Sequence, residues 1–214
     1  MIDIAVIDYG MGNLRSVQQS LRKIAPDLSV VLTSNPQEVA QAGRVVFPGQ
    51  GAMPDCIREM DERGLRNAVL DAVRNKPFLG ICIGLQMLFE HSAEGNITGL
   101  GVLGGEVVRF ANPLRDAAGN KLKVPHMGWN QVRRTTTAAA HPMWKDIPQD
   151  ARFYFVHSYY VQPTDKNIVQ ANSDYPVPFV CAVARDNLFA VQFHPEKSQD
   201  AGLMLLKNFV HWNP

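Results

Sequence analysis

The stretch Lys76–Glu90, KPFLGICIGLQMLFE, decides how the whole chain is read. An apolar run, Phe78-Leu79, breaks at Gly80. Cys82 follows, then Gly84, then LQMLFE, which reads as helix. A thiol between two glycines at a strand-to-helix junction fits a nucleophile elbow. Such a turn brings backbone close to backbone, which residues without Cβ allow, and it lifts the side chain out of the sheet. The helix that opens there points its N-terminus at the sulfur and favours thiolate over thiol. The same pattern also fits a small buried cysteine in a sheet, the usual fate of a free cysteine. A thiolate needs a base, so the rest of the chain must decide between the two.

Composition bounds that search. The 214 residues are 46% hydrophobic and 19% charged, which suits one globular α/β domain spanning 1–214 with a sizeable core. A formal net charge of +1 predicts no strong pull toward nucleic acid or an anionic membrane. No apolar run reaches the length of a membrane span. MIDIAVIDYG carries Asp3 and Asp8 without a basic leader, so it reads as a first strand and not as a signal peptide. Cys56, Cys82 and Cys181 are an odd count at irregular spacing, with no C-x-x-C pair. That argues against a disulfide framework and a zinc site, and for a reducing cytoplasmic setting. His126, His141, His157 and His211 are scattered without metal-ligand spacing, so no metal and no cofactor is expected.

Along the chain, IDIAVID is a near-continuous apolar run, as in a strand buried on both faces. LRSVQQSLRKI places Leu14, Val17, Leu21 and Ile24 at helical spacing. LSVVLT, RVVFPG and PFLGI are further strands, with helices at about 53–62 and 65–74 and a helix over LQMLFEH. This alternation predicts a mostly parallel sheet covered on both faces. The second half changes texture: GVLGGEVVRF, KVPHMGWNQV, ARFYFVHSYYV, IVQANSD, PFVCAVARD and LFAVQFHPE are strands joined by turns. They predict a mixed extension of the sheet, closed by a helix at about 200–210. ANPLRDAAGNKLK is the most loop-like segment.

Ligands in such sheets bind beyond the carboxyl ends of the strands. YGMGN, PGQG, Cys82 and HPE each follow a strand there. HPE supplies a base: His194 and Glu196, two apart on an extended strand end, point to one side, and Pro195 marks the end of the ladder. Glu196 then orients the imidazole, as in a triad. Alone, the pair would read as a surface ion pair; beside an elbow cysteine it reads as Cys-His-Glu. In FPGQG, the glycines around Gln50 let the backbone turn N–H groups toward an oxyanion, although by itself the motif is an ordinary turn.

The elbow GICIGLQ, the glycine-rich loop and the distal HPE together resemble the class I glutamine amidotransferases. Within that class the likeness is to the glutaminase subunits of imidazole glycerol phosphate synthase, carried by IDYGMGNLRSV, VPHMGWN and FYFVHSYY. It covers essentially the whole chain and implies the three-layer glutaminase fold. One departure is Gln50, where the family's loop usually reads P-G-V-G. The resemblance implies Cys82 as nucleophile, His194 as proton shuttle and Glu196 as its orienter. It implies an oxyanion hole from Gly49, Gln50, Gly51 and the N–H of Ile83, and glutamine contacts at Gln86, Glu94, Ser158 and Tyr159. It also implies a separate (β/α)₈-barrel cyclase, in a heterodimer, that receives the ammonia. Met11, Gly12, Asn13, Met127, Trp129, Tyr154 and Lys197 are the residues expected to face it, and for Met127 a core position fits equally. The rivals are a stand-alone elbow-cysteine γ-glutamyl hydrolase or peptidase, and a degenerate glutaminase serving only to bind. The intact Cys82, His194 and Glu196 speak against the second. A dinucleotide fingerprint at YGMGN lacks its third glycine.

Overall fold

The computed structural model describes residues 2–12, 14–136, 138 and 140–214. The first half alternates β1 (Ile4–Ile7), α1 (Leu14–Ile24), β2 (Val30–Thr33), α2 (Pro36–Gln41), β3 (Arg44–Phe47), α3 (Met53–Glu62), α4 (Arg66–Asn75), β4 (Phe78–Ile81) and the single turn α5 (Ile83–Gln86). The second half is strand-rich: β5 (Phe89–Ser92), β6 (Ile97–Thr98), β7 (Leu103–Arg109), β8 (Leu114–Arg115), β9 (Lys121–Leu122), β10 (His126–Gln131), β11 (Arg133–Arg134), β12 (Arg152–His157), β13 (Tyr159–Pro163), β14 (Val169–Asp174), β15 (Pro178–Arg185) and β16 (Leu188–Val191). Helix α6 (Gln199–His211) closes the chain.

Local chemistry explains the elements that carry the site. IAVI in β1, FLGI in β4 and LFAV in β16 are buried at every position, which requires cover on both faces of the sheet. Helix α1 buries Leu14, Val17 and Leu21, one face at helical spacing. Helix α2 is capped by Asn35, whose side chain accepts from the Gln37 N–H, with Pro36 at its first position. Helix α1 packs on α6, and α2 on α4.

The strands β2, β1, β3, β4 and β16 lie side by side in that order, all parallel. Beyond β16 the sheet turns antiparallel through β15 and β13 to β7, then pairs β7 with β5 in parallel. This is the mixed α/β sheet that the strand pattern predicts, parallel at the centre and extended antiparallel by the second half. Strands β10 and β12 stand apart as a separate antiparallel ribbon.

Four local readings need correction. The helix expected over LQMLFEH stops at Gln86, and Phe89–Ser92 is strand. Residues 81–89 are buried throughout and leave no polar face for an amphipathic helix. Their carbonyls instead take N–H groups from the 99–103 segment, as in Leu100 to Met87 at 2.7 Å. ARFYFVHSYYV is two strands, broken at Ser158. ANPLRDAAGNKLK holds a short hairpin, β8 with β9. Helix α2 has no counterpart in the sequence reading.

Candidate active site

Cys82 lies where β4 ends, between the strand and α5. Its backbone has φ 56° and ψ −108°, a strained left-handed geometry for a residue with a Cβ. Its N–H donates to Val191 O at 2.8 Å, which pins the strained turn to β16. The flanking glycines are forced by contact. A Cβ on Gly84 would lie 1.8 Å from the Phe47 carbonyl oxygen, and one on Gly80 2.9 Å from the Ala190 Cβ. Both cases are the close backbone approach that the elbow requires.

His194 and Glu196 meet through a turn, not through strand alternation. His194 precedes a 3₁₀ turn, Pro195–Lys197, that holds Glu196. Nδ1 of His194 and Oε1 of Glu196 are 2.8 Å apart, with side chains 2% and 3% exposed. Nε2 of His194 is buried with no hydrogen-bond partner. Burial alone would lower the imidazole pKa; the charge of the neighbouring Cys82, followed by the hydrogen bond and charge of Glu196, overrides it and raises the pKa to about 10. An imidazolium beside the sulfur is the state this geometry favours near neutral pH. The turn is stitched to the separate ribbon. The His194 N–H donates to Tyr154 O at 2.9 Å, the Tyr154 N–H to Ser198 Oγ at 3.0 Å, and the Ser198 hydroxyl to His194 O at 2.6 Å.

A cleft of about 230 Å³ opens at Cys82, lined by Gln50, Gly51, Ile83, Gln86, Glu94 and residues 156–159 among others. The four expected glutamine contacts, Gln86, Glu94, Ser158 and Tyr159, therefore share one cavity with the cysteine and with Gln50, Gly51 and Ile83 of the expected oxyanion hole. Glu94 Oε2 accepts from the Met53 N–H at 2.8 Å, which ties the carboxylate to the start of α3. Gln86 is buried; its Nε2 donates to Tyr159 O and Gln192 Oε1, each at 3.0 Å. Its Oε1 is buried without a partner, an acceptor left for a ligand N–H. The loop Gly49-Gln50-Gly51 lies against the loop after β1: a Cβ on Gly49 would meet Tyr9 Oη at 1.8 Å, and one on Gly12 would meet Gln50 N at 3.1 Å. The Tyr9 hydroxyl donates to Pro48 O at 2.8 Å.

Of the residues expected at a partner surface, Met127 is 62% exposed, which excludes its core alternative, and Trp129 is 41% exposed. The Trp129 and Tyr154 rings sit edge to face at 6.3 Å, and Lys197 Nζ lies 5.9 Å from the centre of the Tyr154 ring. Met11 is half-buried and Gly12 exposed; Asn13 lies outside the described residues. Cys56 and Cys181 are buried free thiols. Among the described residues no group of three or more His, Cys, Asp or Glu side chains could hold a metal ion, and no helix is long and apolar enough to cross a membrane.

Sequence reasoning missed two features here. Gln192, fully buried inside VQF, points Nε2 at Cys82 Sγ, 3.7 Å away. His126 and His157, read as scattered, meet ring to ring at 3.0 Å. The signal for Gln192 was a lone amide in an apolar strand beside the base.

A strained cysteine at a strand end, beside a carboxylate-paired histidine and opening on a cleft, is the arrangement a thiol-dependent acyl transfer requires, and residues 5–212 match the family described as glutamine amidotransferase class-I. The imidazole glycerol phosphate synthase subunit HisH of Nitrosospira multiformis is 61% identical over 100% of both chains, and that of Thiobacillus denitrificans is 61% identical over 100% of this chain and 92% of its own. The chain belongs to the class-I glutamine amidotransferases, in the family of these HisH subunits. The fold is shared more widely. The glutaminase domain of Trypanosoma brucei CTPS with bound acivicin superposes with a TM-score of 0.65 at 18% identity, covering 100% of this chain and 96% of that one. A solved glutamine amidotransferase superposes with a TM-score of 0.68 at 16% identity, over 93% and 94% of the two chains.

Proposed function

We propose that this chain is the glutaminase subunit of an imidazole glycerol phosphate synthase. It hydrolyses glutamine to glutamate and ammonia, and the ammonia passes to a cyclase subunit that makes imidazole glycerol phosphate and AICAR in histidine biosynthesis. Residues 1–214 act as one amidotransferase domain, in the cytoplasm. The observation that carries the reading is the Glu196–His194 pair at 2.8 Å, with the free Nε2 beside a left-handed Cys82.

The chemistry follows from that geometry. The Cys82 sulfur attacks the side-chain amide carbon of glutamine. The oxyanion is received by the Ile83 N–H and by an N–H of the Gly49-Gln50-Gly51 loop. His194, held as imidazolium by Glu196, gives its proton to the leaving ammonia. A γ-glutamyl thioester remains. His194, now neutral, takes a proton from water, which attacks the thioester and releases glutamate and the thiol. The unpartnered Oε1 of Gln86 and the carboxylate of Glu94 suit the N–H groups of an amino acid; backbone at Ser158 and Tyr159 suits its carboxylate.

Free ammonia protonates in water and loses its nucleophilic lone pair, so a synthase needs a closed path to the consumer. The exposed Met127 and Trp129, with Tyr154 and Lys197 behind them and Met11, Gly12 and Asn13 alongside, are the surface on which a (β/α)₈-barrel cyclase would dock in a heterodimer. Cys82→Ala and Cys82→Ser are expected to lose glutamine hydrolysis by at least about a thousandfold while keeping the fold. Either variant retaining more than a small fraction of wild-type turnover, in an assay of glutamate release, would refute Cys82 as the nucleophile.

A further inference from the structure

We propose that Gln192 is a further catalytic residue, its side-chain amide donating an N–H to the Cys82 sulfur and holding negative charge there. The proposal rests on Cys82 being the nucleophile. Gln192 is fully buried, and its Nε2 lies 3.7 Å from Sγ, within reach for a hydrogen bond to sulfur. The direction of that bond is set by a chain of groups with one consistent sense. The Tyr159 carbonyl can only accept, so Gln86 must present Nε2 to it at 3.0 Å. The same amide group of Gln86 then meets Gln192 at 3.0 Å, and Gln192 must turn its oxygen there. Its own N–H is left for the sulfur.

The Tyr159 carbonyl is itself fixed from the far side. His157 Nδ1 lies 2.8 Å from it and must donate, so His157 Nε2 accepts. His126 Nδ1 donates to it at 3.0 Å, and His126 Nε2 accepts from Asn130 Nδ2 at 3.2 Å. Each imidazole thus carries one proton, in one tautomer. Burial keeps both rings neutral, lowering His126 to about 4 and His157 to about 3, so the sense does not reverse near neutral pH. His126 and His157 are positioning residues in this chain, and Gln192 is its end at the reacting atom. A donor aimed at a thiolate favours the charged form and strengthens as the charge develops.

The test is the pH profile of iodoacetamide alkylation at Cys82 in the full chain, read by mass of the Cys82 peptide, beside glutaminase turnover. Gln192→Met keeps the length of the side chain and removes the donor. We expect its alkylation midpoint to rise by about one pH unit and its kcat to fall roughly tenfold, the equivalent of one charge-assisted hydrogen bond. Should Gln192→Met not fold, Gln192→Glu carries the test: its second oxygen faces the sulfur and is expected to raise the midpoint further. A wild-type midpoint and kcat in the folded variant overturn the proposal. An unshifted midpoint, with glutaminase still lost on alkylation of Cys82, overturns the role of Gln192 alone. Full glutaminase activity after Cys82 alkylation overturns the nucleophile itself, and this proposal with it.

Discussion

Gly84 is held to glycine by the Phe47 carbonyl, which a Cβ would approach to 1.8 Å, and neither group can yield because both are backbone. Gly84→Ala is therefore expected to destabilise the chain by about 1–3 kcal/mol and to disturb the turn that carries Cys82. Gly104 is the control: a Cβ there meets nothing nearer than 3.8 Å, and Gly104→Ala should stay within about 0.5 kcal/mol of wild type. Urea midpoints of the two variants at unchanged m separate the cases; equal midpoints would remove steric necessity as the reason for Gly84. At this scale the sequence was legible wherever chemistry leaves a local mark. G-x-C-x-G and HPE announce a nucleophile and a base because their geometry needs those neighbours in the chain. Gln192 leaves only a lone amide among apolar neighbours, and the histidine pair leaves no mark at all. His126 and His157 are thirty-one residues apart and become partners only when β10 pairs with β12.

The ribbon of β10 and β12 carries a pH response of its own. His126 and His157 are buried neutral, burial being the first cause of both lowered pKa values, about 4 and about 3 against an ordinary 6.5. The unfolded chain takes up protons at 6.5 that the folded ribbon refuses, so their contribution to stability is complete above pH 6.5. It is lost as pH falls below 6.5 toward 4 and 3, at roughly 1.4 kcal/mol per pH unit for each proton. Urea midpoints at pH 7, 6 and 5 should therefore fall, and fall less steeply in the double variant His126→Gln, His157→Gln; parallel curves would exclude the pair as the cause. Periodicity located most elements because buried parallel strands and amphipathic helices repeat at different intervals. It failed at LQMLFEH, where an all-apolar run has no face to reveal and the 99–103 segment captured the backbone. It also failed at SNPQE, where cap and proline chemistry, not periodicity, marks α2.

At the scale of the whole molecule the division of labour is testable. With His194 replaced by Ala, the assembled synthase should lose glutamine-dependent turnover and keep synthesis driven by ammonium at high pH, because ring formation belongs to the cyclase. Loss of both in an assembled complex would exclude that division. The isolated chain is expected to hydrolyse glutamine slowly, and faster by up to about 10²–10³ once the cyclase docks, the scale of one oxyanion donor brought into line. The PGQG loop, whose two glycines permit a peptide flip, is the element that would move. Glutaminase turnover alone, with cyclase, and with cyclase plus its nucleotide ligand measures it; equal rates exclude the switch. The parallel centre and the strand ends that gather the site were legible because alternating elements dictate them. The separate standing of the β10–β12 ribbon was not, since strand composition is silent on which sheet a strand joins.

That separate standing has a pharmacological consequence. Cys82 is pinned by its N–H to β16 in the large sheet, while the backbone of His194 is pinned to Tyr154 in the ribbon. The nucleophile is thus tied to β16 alone, while the base, three residues beyond the end of β16, is clamped between that strand and the ribbon. A compound wedged beneath the ribbon would act on the base through its backbone clamp without resembling glutamine. Because Val156 and His157 of the ribbon also line the cleft, such an inhibitor would disturb the glutamine site and the base together, from a surface that glutamine itself does not occupy.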